Sequence, residues 1–108
     1  MIIIKSKTYK KDLDKKIIKK HKSDELKTIE SIENLILSQN NLKELMNNPY
    51  HLVYNIEKKK GNLKEYYTAD INSKLRLYLK PIGIYPYNII EIEEIIFDKI
   101  DDKHYGEG

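Results

Sequence analysis

The 108-residue chain contains no cysteine, which removes disulfides and thiolate metal sites from consideration and fits an intracellular protein. Long hydrophobic runs are missing as well. Nothing approaches the roughly 20 apolar residues of a membrane helix, and Met1-Ile2-Ile3-Ile4 meets Lys5 and Lys7 too soon to form the core of a signal peptide. A cytoplasmic protein with no membrane contact is expected. No repeat, low-complexity tract or Pro/Gly/Ser linker divides the sequence, so a single domain over 1–108 is expected. There is no Gly-rich phosphate loop, no G-x-S-x-G motif and no nucleophilic cysteine. His21, His51 and His104 lack helical or hairpin ligand spacing, which disfavours a metal site.

What is present suits a folded chain: 40% hydrophobic and 34% charged residues are too apolar a mixture for disorder. The net charge of +3 hides an asymmetry. Residues 1–22 hold nine lysines against Asp12 and Asp14, a local balance of +7, whereas residues 91–108 hold seven acids against Lys99 and Lys103, a balance of −5. Two readings stand side by side: an anionic partner at one end, or a lysine-rich solvated helix face of the kind an AT-rich genome encodes.

Hydrophobic period divides the chain into two halves. Ile2 to Lys5 reads as a short strand. Ser6 or Thr8 can cap a helix carrying Tyr9, Leu13, Ile17 and Ile18, with His21 at its C-terminal end, where a cation suits the dipole. Ser23 is a second cap, before a stripe of Leu26, Ile29, Ile32, Leu35 and Ile36, and Leu42 to Met46 adds a turn before Asn47-Asn48-Pro49. From His51 the period becomes 2. Strands are expected at His51 to Lys58, Leu63 to Ile71, Lys74 to Lys80 and Asn88 to Phe97, with a β-bulge near Glu94. The fold class is therefore α+β: an N-terminal helical hairpin packed on a four-stranded, mainly antiparallel sheet, with a short N-terminal strand beside it.

Alternation assigns the faces. Leu75, Leu77 and Leu79 should meet the helices, which leaves Arg76, Tyr78 and Lys80 on the open face, beside Lys64, Tyr66 and Thr68 of the preceding strand. Arg76 is the sole arginine among nineteen lysines. Its planar fork suits phosphate; an ion pair with Glu91 or Glu93 on the next strand is the plainer alternative.

The order of elements, Glu65-Tyr66-Tyr67-Thr68-Ala69-Asp70-Ile71, Lys74-Leu75-Arg76-Leu77 and the closing Asp102-Lys103-His104-Tyr105-Gly106 resemble the RelE/ParE toxin superfamily. Asn48-Pro49-Tyr50-His51-Leu52 is similar to the segment joining helices to sheet in its HigB-like, plasmid-maintenance killer branch. The resemblance implies a ribosome-dependent mRNA endoribonuclease with ribosome, mRNA and a cognate antitoxin protein as partners. It implies no metal and no cofactor: the RNA 2′-hydroxyl attacks its own 3′-phosphate, leaving a cyclic phosphate and a 5′-hydroxyl. Arg76 would stabilise the phosphorane, His104 would shuttle a proton, Tyr105 would stack or orient, and Asp102 would orient His104. His51 and Lys64 follow as candidates for proton transfer and charge. Lys58, Lys59, Lys60, Tyr66, Tyr78 and Lys80 are the expected RNA contacts. The tail order Lys-His-Tyr departs from the Tyr-His of related toxins, so His104 and Tyr105 could exchange roles. A ParE-like inhibitor of DNA gyrase and an inactive binding module are the alternatives on this fold.

Overall fold

In the computed structural model, which describes residues 1–103, β1 (Ile2–Lys5) leads into α1 (Lys7–Leu13), which widens into a π-helical turn over Asp14–Ile18. Then come α2 (Ser23–Leu37), the short α3 (Leu42–Asn47), β2 (Glu57–Lys58), β3 (Tyr67–Asp70), β4 (Leu75–Pro81) and β5 (Glu94–Asp102). The sheet has five strands in the order β1-β5-β4-β3-β2. β1 runs parallel to β5, and every other pairing is antiparallel. The expected class and meander hold; the strand count rises from four to five because Ile2–Lys5 joins the sheet as its edge. No helix among the described residues is long and apolar enough to cross a membrane.

The helices cover one face. Ser6 accepts a hydrogen bond from the Tyr9 amide at 2.9 Å and so starts α1. α2 starts at Ser23 itself, without the side-chain cap expected there, and carries Asp24 and Glu25 in its first turn, where the dipole favours them. Ile29, Ile32 and Ile36 of α2 are buried with Tyr9 and Ile17 against Tyr67, Ala69, Leu75, Leu77, Leu79 and Phe97 of the sheet. Tyr9 and Phe97 meet edge to face at 5.4 Å, locking α1 onto β5. Most of the lysines in residues 1–22 point to solvent, as a solvated helix face would.

β5 outruns β1, which pairs only with Glu94 to Phe97. The uncovered backbone beyond is satisfied by side chains of the first helical segment. Ser6 Oγ donates to the Asp98 carbonyl at 2.6 Å, Lys16 Nζ donates to the Ile100 carbonyl at 2.7 Å, and Asp12 Oδ2 accepts from the Ile100 amide at 3.0 Å. Asp12→Ala leaves that amide without its acceptor, a loss of about 1–3 kcal/mol. A lower urea midpoint with an unchanged m-value is the expected readout.

Three strands differ from the sequence expectation. His51 to Ile56 is turn rather than strand: Asn48 caps the Tyr50 amide, and Pro49 opens a 3₁₀ turn over Pro49–Leu52. Leu63 to Tyr66 is a second turn, because Gly61, at φ +64°, begins a 3₁₀ segment over Gly61–Leu63. Residues 88–92 do not pair in the sheet; instead the Ile92 and Ile89 carbonyls accept from the Leu42 and Lys43 amides at 2.9 and 3.1 Å, finishing the start of α3. The bulge falls at Asp98, four residues past the expected place, since Tyr78 faces Lys99 while Leu79 faces Phe97.

Candidate functional site

The face turned away from the helices is built by β3, β4 and β5. Cross-strand register places Arg76 of β4 between Asp70 of β3 and Asp101 of β5. The Arg76 side chain is 14% exposed and its Nε lies 3.7 Å from Asp70 Oδ1. Lys103 Nζ reaches Asp70 Oδ2 at 3.0 Å, and Asn55 donates to the same oxygen at 3.3 Å. Lys16 and Lys99 approach Asp101 at 3.8 and 4.0 Å. The partner expected for Arg76, Glu91 or Glu93, is corrected to Asp70: the last strand begins only at Glu94, so neither glutamate reaches the register of Arg76.

One step along β4 lies an aromatic and cationic cluster. Tyr66 packs edge-on against Tyr78 at 5.9 Å, Lys80 Nζ sits 5.9 Å from the Tyr66 ring, and Lys99 Nζ sits 4.7 Å from the Tyr78 ring. Tyr66 donates its phenol proton to Asp98 at 3.1 Å, so the bulged residue serves the site. Tyr78 is 1% exposed, which corrects its expected place on an open surface: Tyr66 and Lys99 lie against its ring. Thr68, opposite Tyr78, is buried too.

Beyond the strand ends is a third group. Lys64 stands in the turn before β3, and its ammonium lies 5.4 Å from the Tyr85 ring rather than beside Arg76. The 3₁₀ turn at Gly61 is the reason for that correction. Lys58 lies 6.0 Å from the same ring. Lys59, expected to face solvent with its neighbours, is 5% exposed and pairs with Glu57 at 3.2 Å, because alternation beyond β2 turns it inward.

His51 sits in the turn before β2, where its Nδ1 lies 2.8 Å from the Asn48 carbonyl. A carbonyl only accepts, so Nδ1 carries a proton in this contact and Nε2 is the ring nitrogen outside it. His21, exposed at φ +53°, closes the turn into α2. His104 and Tyr105 lie outside the described residues. Among the described residues no three histidines or carboxylates converge as a metal-ligating group.

Burial, and secondarily Asp98, raises the Tyr66 phenol above its ordinary value, and burial raises Tyr67. Burial followed by Glu65 pushes Tyr87 up to about 12, and burial followed by Glu33 does the same for Tyr9. At neutral pH these phenols are hydrogen-bond donors, not bases. The unfolded phenol titrates near 10.0, so above that pH the unfolded chain releases protons that the folded chain keeps. Stability should hold below pH 10 and fall progressively between about 10 and 12, a fall that thermal melts across this range would follow.

Sequence reasoning missed Asp70, Lys99, Asp101 and Lys103 as neighbours of Arg76, and Tyr85 as a ring for Lys64. Extending the last strand past Phe97 would have exposed Lys99, Asp101 and Lys103, and carrying the alternation of Tyr66 and Thr68 one step further would have exposed Asp70; Tyr85 lies in a loop whose path no period reveals.

No protein-family model matches the sequence, and no curated protein matches it. Solved structures do match. A histidine-to-glutamine variant of YafQ from E. coli aligns with 94% of this chain and 91% of its own, at a TM-score of 0.65 and 20% identity. YafQ from E. coli strain BL21(DE3) gives the same coverage and identity at a TM-score of 0.62. The E. coli DinJ–YafQ complex covers 93% of this chain and 90% of the other, at 0.59 and 14% identity. The chain therefore has a YafQ-like α+β fold.

Proposed function

We propose that this protein is the toxin of a toxin–antitoxin pair and cuts mRNA on the translating ribosome in the cytoplasm, its activity held in check by a cognate antitoxin. The observation that carries this reading is Arg76: the sole guanidinium of the chain, on the face away from the helices, flanked in register by Asp70 and Asp101 and followed along the strand by Tyr78, which Tyr66 covers, and by Lys80. Two further supports are the RelE/ParE-like motifs and a fold shared with YafQ, a protein solved in complex with DinJ. Asn48-Pro49-Tyr50-His51-Leu52 supports the HigB-like branch within that superfamily.

In the reaction, the RNA 2′-hydroxyl gives its proton to a base as its oxygen forms a bond to the neighbouring phosphorus, the bond to the 5′-oxygen breaks, and the leaving oxygen takes a proton. Charge accumulates on the phosphorane oxygens, where a guanidinium gives two parallel hydrogen bonds. Arg76 exchanges Asp70 for phosphate in this step, while Lys103 and Lys99 keep the aspartates neutralised. His104 supplies or accepts the proton, helped by Asp102 and Tyr105. The Lys103 amide is tied to the Lys74 carbonyl at 2.9 Å, so the chain leaves β5 at the Arg76 end of β4. His51 offers Nε2 as a second base. Lys64 contributes charge at the far end of the face, not proton transfer.

Purified protein added to a reconstituted translation reaction tests the reading. Cuts within the message are expected only when ribosomes are translating it. Intact mRNA together with inhibited DNA supercoiling would replace this reading with the gyrase-directed one.

A further inference from the structure

We propose that Tyr85, with Lys58 and Lys64, forms a second nucleotide subsite that takes one base and phosphate of single-stranded RNA, remote from Arg76. The inference rests on the function proposed above and adds a site to it. Lys58, Lys59, Lys60, Gly61, Lys64 and Tyr85 line an open cleft of about 470 Å³, within the size range of small-ligand sites. The lysines come from β2 and the turns after it, the tyrosine from the β4–β5 loop, so the cleft forms only in the folded chain.

Charge in the cleft is uncompensated. Among the described residues Lys59 alone of these lysines meets a carboxylate, Glu57; Lys58, Lys60 and Lys64 are exposed and have none at ion-pair distance. Like charges gathered at one cleft disfavour each other until an anion enters. The ring is held ready as well. Tyr87 packs edge-on against Tyr85 at 5.6 Å and is itself fixed by donating to the Glu65 carbonyl at 2.7 Å.

The ammonium groups at 5.4 and 6.0 Å from the ring are at the long end of cation–π contact, which is weak at an exposed site. A stacked base interacts more strongly with a tyrosine face than such a lysine does, and sequence-independently. RNA entering the cleft therefore replaces lysine by base on the ring and frees both ammonium groups for phosphate. Four residues, or about 13 Å of strand, separate Arg76 from Lys80, and Tyr85 lies beyond Lys80 in the next loop. Between them lie Tyr66, Lys80 and Lys99, with Tyr78 buried beneath Tyr66 and Lys99. The cations Lys80 and Lys99 and the Tyr66 ring thus stand between the two ends, a combination of charge and ring that suits a single strand. An acidic protein segment would use the lysines but has no need of the ring.

Fluorescence anisotropy with a short labelled single-stranded RNA, 2′-O-methylated so that it cannot be cut, tests the subsite. Tyr85→Phe should bind within about twofold of the parent, and Tyr85→Leu about tenfold or more weakly, at equal thermal midpoints. Lys58→Ala with Lys64→Ala should flatten the slope of log affinity against log salt by about 1.4. Unchanged RNA affinity in folded Tyr85→Leu overturns the subsite. So does a poly-glutamate peptide that displaces RNA equally from the parent and from Tyr85→Leu. The failure of the wider reading looks different: Arg76→Lys would then leave mRNA cleavage intact, whatever the Tyr85 variants do to the probe.

Discussion

Arg76→Ala is expected to lower ribosome-dependent mRNA cleavage by about 10²–10³-fold, the usual cost of removing one preorganised group from developing charge. The same change should also cost stability. Asp70 and Asp101 flank Arg76 on adjacent strands, and Asp70 would keep only Lys103 and Asn55 as partners. Leaving a half-buried carboxylate short of its cation costs about 1–3 kcal/mol, so a loss of activity in the alanine variant needs a folded control. Arg76→Lys provides it. Lysine keeps a cation between the aspartates but loses the planar fork, so the unfolding midpoint should stay close to that of the parent while cleavage falls by about tenfold or more. Primer extension on translated message and thermal melts of the three proteins check both halves of the expectation.

The second large effect concerns the core. Phe97 is fully buried on β5 and forms the edge-to-face pair with Tyr9 that holds α1 to the sheet. Phe97→Ala removes a ring whose deletion typically costs about 3–5 kcal/mol, out of a total of about 5–15 kcal/mol for a domain. A strongly reduced urea midpoint is expected, with loss of the near-ultraviolet signal of the tyrosines at moderate temperature. Phe97→Leu should recover most of the loss, because it refills the volume without restoring the aromatic pair.

The parts of the fold with strong local periodicity are legible in the sequence. The stripe through Ile29, Ile32 and Ile36 marks the buried side of α2, and Leu75, Leu77 and Leu79 mark the helix-facing side of β4. The last strand was misplaced for a physical reason. Ile89 and Ile92 are apolar because they pack in and against the hydrophobic core, while their backbone carbonyls serve the start of α3 instead of a strand ladder. Ile100 pairs with Leu77 only because β5 continues past Phe97, and backbone groups there depend on Asp12 and Lys16 far away in sequence. The same distance effect hid much of the site. Alternation placed Arg76 on the correct face, but its neighbours follow from register: a shift of β5 brings in Asp101 and Lys99 where Glu91 and Glu93 were expected. Lys64 moved for want of one local signal, the left-handed Gly61 that turns the chain before β3 can begin.

The central claim is that Arg76 stabilises a phosphorane during attack by the RNA's own 2′-hydroxyl. End-group analysis of message cut in a reconstituted translation reaction tests it most directly. The account predicts 2′,3′-cyclic phosphate and 5′-hydroxyl ends that form only with ribosomes present and that become scarce with folded Arg76→Lys. Ends bearing a 5′-phosphate, or the same cuts at the same rate from Arg76→Lys, would contradict it.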